Sequence, residues 1–103
     1  MDKPLQRALE IIIKVAAPEK VILFGSRAKN HNNEQSDYDL LVLKHNGEKP
    51  RSVARAIYAN LDKIGAPVDI IVTDIDQYES LKNNPYLVYC EAEKHGRLVY
   101  AKS

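Results

Sequence analysis

The sequence predicts a layered α/β (α+β) domain, a small mixed β-sheet packed with helices, and three observations predict it. Apolar residues recur at helical spacing in some segments and form short continuous runs in others, and the two kinds alternate along the chain. The continuous runs are rich in Val, Ile and Leu, as suits strands buried on both faces. Gly, Pro and Asn cluster at the junctions between them. With 103 residues, one domain spanning 1–103 is expected, large enough to close a core without staples.

The first helix is expected from Leu5, Ala8, Leu9, Ile12, Ile13 and Ala16, with Asp2 as its cap and Pro4 in the first turn. Pro18-Glu19-Lys20 ends it. Val21 to Phe24 is a short apolar strand that stops at Gly25, and Arg27-Ala28-Lys29 is expected to carry a short helix. Asn30 to Ser36 is polar enough for a surface loop, and Tyr38 to Lys44 forms a second strand. After the turn at Asn46 to Pro50, one helix face is marked by Val53, Ala54, Ile57, Tyr58, Leu61 and Ile64, closed by Gly65. Pro67 launches a third strand, Val68 to Thr73. Helices are expected over Asp74 to Leu81 and Tyr86 to His95, separated by Asn83-Asn84-Pro85, with Gly96 as the stop before a last strand from Arg97 to Tyr100.

Composition narrows the function classes. Apolar residues make up 45% and charged residues 28%, and a net charge of +1 exerts no general pull on nucleic acid or anionic lipid, so no direct nucleic-acid partner is expected. The one cysteine, Cys90, can form no internal disulfide and has no Cys or His at ligand spacing for zinc, which fits a reducing compartment. Met1 to Pro4 leads into an amphipathic pattern rather than a signal peptide, and no apolar run approaches membrane length. A cytoplasmic protein without a membrane partner is the expectation.

Three carboxylates carry the chemistry. Side chains alternate across a strand, so Asp37 and Asp39 point the same way, with Leu41 and Leu43 continuing on that face. Asp69 stands between Val68 and Ile70 in another apolar strand, where an isolated carboxylate is costly. Each signal alone has an ordinary structural reading: an Asp-x-Asp pair at a solvated strand start, Asp69 paired with a lysine, Gly25-Ser26 as a plain turn. Together they read as oxygen ligands for a hard divalent cation, which keeps waters and substrate phosphates as its remaining ligands. Gly25 lets backbone approach a phosphate, and Ser26 adds a hydroxyl and an N–H at an expected helix start.

This pattern matches neither the Walker loop nor Gly-x-Gly-x-x-Gly. It resembles the DNA polymerase β nucleotidyltransferase superfamily, through Phe24-Gly25-Ser26, Ser36-Asp37-Tyr38-Asp39-Leu40 and Val68-Asp69-Ile70. It is most similar to the minimal nucleotidyltransferases, in which ten residues separate Gly-Ser from Asp-x-Asp, as Arg27 to Ser36 do here. The ending Gly96-Arg97-Leu98-Val99-Tyr100 resembles the closing strand of that family. A glycine common near Asn30 in relatives is missing.

The resemblance implies the DNA polymerase β-like fold and a Mg²⁺-dependent transfer of AMP from ATP, with pyrophosphate leaving. Asp37, Asp39 and Asp69 would be the catalytic and metal-ligating residues, holding two Mg²⁺ ions roughly 3.5–4 Å apart. Asp69 would also be placed to take the acceptor's proton. Gly25, Ser26 and Arg27 would be the nucleotide-binding residues, although Arg27 reads equally as a surface arginine and Lys29 leans to that reading. Minimal nucleotidyltransferases of this kind act as antitoxins of HEPN-domain RNase toxins and add AMP to a toxin tyrosine. A HEPN-domain partner, possible homo- or hetero-oligomers, and a docking surface on the Tyr86 to His95 helix are therefore expected. The 103 residues carry no segment to wall off an acceptor pocket, so an open cleft is expected. Two rival readings stand beside it: an antitoxin acting by contact alone, and a transferase acting on a small molecule in an oligomeric cleft. His31, His45 and His95 have no mutual spacing and read as solvated, while Cys90 reads as packing. Six tyrosines against one phenylalanine fit either interfaces or core edges.

Overall fold

Two apolar layers, one on each side of a central sheet, account for the sequence periodicities. The computed structural model describes residues 3–25, 27–28, 37–45, 48–61 and 67–102. The elements run α1 (Lys3–Ala16), β1 (Lys20–Phe24), β2 (Tyr38–Lys44), α2 (Pro50–Asn60), β3 (Val68–Asp74), α3 (Ile75–Leu81), α4 (Val88–His95) and β4 (Arg97–Ala101). The four strands are ordered β3-β2-β1-β4. β1 is antiparallel to β2 and β4, while β2 and β3 run parallel, as their long connection through α2 permits. This mixed sheet with helices on it is the α/β class expected from the sequence.

α1 and α2 cover one face. Leu5, Ala8, Leu9, Ile12 and Ala16 of α1 and Val53 and Ile57 of α2 pack against Val21, Leu23, Leu40, Val42 and Ile70. On the other face, Ile22, Phe24, Leu41 and Leu43 meet Tyr78 of α3 and Ala92 of α4. β1 and β2 are thus buried on both sides, which explains why they read as unbroken apolar runs. Tyr78 is held by more than burial: its hydroxyl donates to Glu93 Oε1 at 2.6 Å, and its ring meets Tyr89 edge-on at 6.0 Å. The Tyr89 hydroxyl in turn lies 3.2 Å from Thr73 Oγ1, tying α4 to β3.

α1 ends where Ala17 enters the left-handed region at φ 45°, ahead of the buried Pro18. Lys44 Nζ donates to the Ala16 carbonyl at this helix end and to Glu48 Oε1 at 3.2 Å, so the end of β2 caps α1. The expected cap at Asp2 lies outside the described residues. No helix among the described residues is long and apolar enough to cross a membrane.

Four expected boundaries are corrected. Arg27 and Ala28 form a turn rather than the start of a helix: Ala28 N–H donates to the Gly25 carbonyl at 3.2 Å, and the buried Ala28 joins the α1/α2 core. Lys29 lies outside the described residues. α2 stops at Asn60, because Leu61 leaves the helical region at φ −86°, ψ 52° and packs on the core; Ile64 and Gly65 lie outside the described residues. α4 starts at Val88 instead of Tyr86, since Asn84 captures the next amides, its Oδ1 accepting from Tyr86 at 3.0 Å and its carbonyl from Leu87 at 3.1 Å. α3 begins at Ile75 with Asp74 as its cap, the carboxylate accepting from Asp76 N–H at 2.8 Å and Gln77 N–H at 3.3 Å.

Leu40 is wholly buried in the α1/α2 core, whereas Leu98 is 58% exposed on β4. Leu40→Ala is therefore expected to cost about 3 kcal/mol in urea unfolding. Leu98→Ala should stay within about 0.5 kcal/mol of the unaltered protein in the same measurement.

Candidate active site

Three strand ends meet at one end of the sheet. β1 arrives there with its C-terminus, and the parallel strands β2 and β3 start there, so Phe24 pairs with Asp39 and Asp39 with Asp69 in the sheet register. Tyr38 N–H, between Asp37 and Asp39, donates to the Pro67 carbonyl at 2.9 Å, two residues before Asp69, and closes the two starting strands together. Asp39 and Asp69 stand side by side on the face that carries Leu41 and Leu43, with Asp37 two residues before Asp39. Carboxylate oxygens of Asp37, Asp39 and Asp69 can all lie within 4.8 Å of one another.

Their environments differ. Asp39 is half-buried between Phe24 and Asp69, while Asp37 and Asp69 are exposed. Burial raises the Asp39 carboxyl above the ordinary carboxylate range, and the charges of Asp69 and Asp37 raise it further. Asp69 is raised as well, first by the local covering of its carboxyl, although the residue as a whole is exposed, and then by its hydrogen bond and charge interaction with Asp37. Both shifts have the sign expected of covered carboxyls and of like charges held together. A hard divalent cation is the partner this oxygen-only donor set fits.

Gly25 serves the carboxylates in a way its sequence context does not reveal. Its φ is +77°, and a Cβ there would fall on the Asp39 carboxylate oxygen, with Asp39 Cγ at 3.3 Å. The missing side chain thus makes room for Asp39, besides leaving bare backbone for a ligand. Arg27 follows in the turn, and its guanidinium carbon sits 3.8 Å from the centroid of the Tyr38 ring. Tyr38, between the first two acids, is buried in the α1/α2 core and so offers Arg27 a fixed stacking platform. Of the sequence-derived candidates, the structure gathers Asp37, Asp39, Asp69 and Gly25; Arg27 stacks on Tyr38, whose ring lies on the α1/α2 side of the sheet, and Ser26 lies outside the described residues. Tyr38 was not singled out by sequence, although its position between two aspartates was the available signal.

The sequence profile described as Polymerase beta, Nucleotidyltransferase matches residues 6–103. No curated protein matches the chain. Among solved structures, a candidate nucleotidyltransferase from Sulfolobus solfataricus is 20% identical over 99% of this chain and 90% of its own, with a TM-score of 0.59. A mutant of the toxin–antitoxin MntA–HpeT is similar at 14% identity, covering 100% of this chain and 76% of that one, with a TM-score of 0.62. A toxin–antitoxin structure with AMP-PNP is 16% identical, over 95% and 74%, with a TM-score of 0.56. At these identities the likeness is one of fold.

Two outcomes follow from the crowding. Gly25→Ala should cost at least about 1 kcal/mol from its positive φ alone. The further cost of collision should vanish in an Asp39→Ala background, where the two Cβ atoms would stand 3.6 Å apart, so a double-mutant cycle by urea unfolding should show coupling between the two positions. For pH, the raised Asp39 carboxyl binds its proton more tightly folded than unfolded, so its contribution to stability is full below the unfolded carboxylate range and is lost as pH rises through the folded value. Without divalent cation, Asp39→Asn should therefore melt above the unaltered protein at pH 7, and the gap should close on acidification toward about pH 4. Excess Mg²⁺ at pH 7 should reverse the order.

Proposed function

The chain belongs to the polymerase β nucleotidyltransferase family, and we propose that it transfers AMP from ATP to a tyrosine of a HEPN-domain RNase toxin, acting as the antitoxin of that pair. The observation that carries the reading is the meeting of Asp37, Asp39 and Asp69 within 4.8 Å beside Gly25. Asp37 and Asp39 would hold Mg²⁺, with Asp69 completing the ligand set. Bound there, two such ions would neutralise the triphosphate and stabilise the entering and leaving oxygens of an in-line displacement.

The remaining roles fall to the chain's own groups. In the displacement, the acceptor phenol oxygen bonds to the α-phosphorus, the bond from that phosphorus to pyrophosphate breaks, and the phenol proton goes to a carboxylate. Asp69, an exposed carboxylate in β3, would receive it. Gly25 and Ser26 would receive the β- and γ-phosphates on backbone N–H groups, and Arg27, braced on Tyr38, would add charge beside them. The exposure of Asp37 and Asp69 leaves the acids open to solvent, as an acceptor delivered by another protein requires. Similarity of fold to toxin–antitoxin structures, one with AMP-PNP, supports the partner and the nucleotide. Tyr86, 93% exposed, and Val88, 38% exposed, at the start of α4 give the docking surface.

Incubation of the chain with ATP, Mg²⁺ and the protein encoded by its genomic neighbour should raise that protein's mass by one or more AMP units on tyrosine. Asp39→Asn should abolish the gain, a loss of more than about 100-fold in rate. An unchanged mass with the RNase still inhibited would establish contact-only antitoxin action instead. Transfer to a small molecule and not to the protein would establish the third reading.

A further inference from the structure

β3 is an edge strand, yet its outer side is not bare. Ile70 N–H donates to the Tyr58 hydroxyl oxygen at 2.7 Å, and the same hydroxyl reaches back to the Ile70 carbonyl at 3.5 Å. One phenol thereby meets both backbone groups of a single residue, as a neighbouring strand would. Tyr58 rises from α2, next to Ile57, which is fully buried in the core, so the hydroxyl is fixed to a packed helix rather than to a loop. Tyr58 itself is 47% exposed.

The residue it grips is the neighbour of Asp69. Along a strand, successive residues turn their backbone groups to opposite sides, so with Ile70 facing Tyr58, Asp69 faces β2 and its partner Asp39. Repulsion among Asp37, Asp39 and Asp69 acts unequally on the two strands. β2 is held by a strand on each side, whereas β3 has a strand on one side only and would relieve the crowding by shifting outward. We infer that Tyr58 is a positioning residue: its hydroxyl tethers β3 at Ile70 and so keeps the Asp69 carboxylate in register with Asp39 for cation binding. This rests on the metal-binding reading of the three carboxylates.

Mn²⁺ titration followed by electron paramagnetic resonance tests it directly. Tyr58→Phe should bind Mn²⁺ about fivefold more weakly than the unaltered protein, equivalent to about 1 kcal/mol. Ile57→Val, which loosens the same helix without touching the hydroxyl, should lower the melting temperature and leave Mn²⁺ affinity unchanged. Equal affinity for Tyr58→Phe and the unaltered protein, with binding lost in Asp39→Asn, would overturn the positioning role and leave the metal site standing. Binding that is absent from the unaltered protein, or that survives in Asp39→Asn, would overturn both. A second measurement needs no variant: coupling is reciprocal, so saturating Mg²⁺ should slow hydrogen exchange at the Ile70 amide by at least about fivefold. An Ile70 amide that exchanges freely, or that does not respond to Mg²⁺, overturns the inference.

Discussion

A lateral register holds the candidate site and the core in one arrangement, with Phe24 of β1 beside Asp39 of β2 and Asp39 beside Asp69 of β3. A slip of one residue between β2 and β3 would turn Asp69 toward the α1/α2 core and bring the buried Ile70 to the face of the acids. The slip would bury a lone carboxylate and expose an apolar side chain, each unfavourable by itself. The pairing that fills the core therefore also gathers the acids, and neither can be rearranged without the other.

That arrangement sets charge against stability. Asp39 and Asp69 both have raised carboxyl pKa values, and Gly25 adopts a positive φ where a side chain would collide with the Asp39 carboxylate. Unfavourable features concentrated at one end of a well-packed sheet are the usual mark of a site kept for what it binds rather than for what it adds to folding. The two apolar layers supply the stability that tolerates them. Tyr38 belongs to both sides of this balance, since its ring fills the core while its face carries Arg27.

Much of this could be read from the residues. The strand runs of β1 and β2 were legible because burial on both faces makes them continuously apolar, that of β3 because its Val and Ile residues cluster after Pro67, and the carboxylates stood out because each interrupts or opens such a run. The errors fell where local rules competed with tertiary contacts. Arg27 and Ala28 have good helical propensity, but Ala28 is drawn into the core and the chain turns instead. Tyr86 and Leu87 look helical until Asn84 takes both amides. The apolar spacing continued α2 to Ile64, whereas the backbone leaves the helix at Leu61. The partner of Gly25, the platform under Arg27 and the hydroxyl at Ile70 were illegible, because each depends on residues brought together from different elements, and spacing along the chain carries no trace of them.

The last strand carries an irregularity of its own. The pairing of β1 with β4 shifts register between Val21 and Ile22, so that Val99 and Tyr100, neighbours in sequence, both pack toward the α1/α2 core. Such a bulge sharpens the local twist and spoils the even spacing of free backbone groups along the strand's outer side. Arg97 at one end and Lys102 just past the other add positive charge to the same rim. A stray extended peptide, or the β4 of another copy, would find there neither a straight template nor a neutral one, and open-ended sheet growth from this rim is disfavoured. The bulge thus guards against aggregation at the side of the sheet opposite the β3 edge.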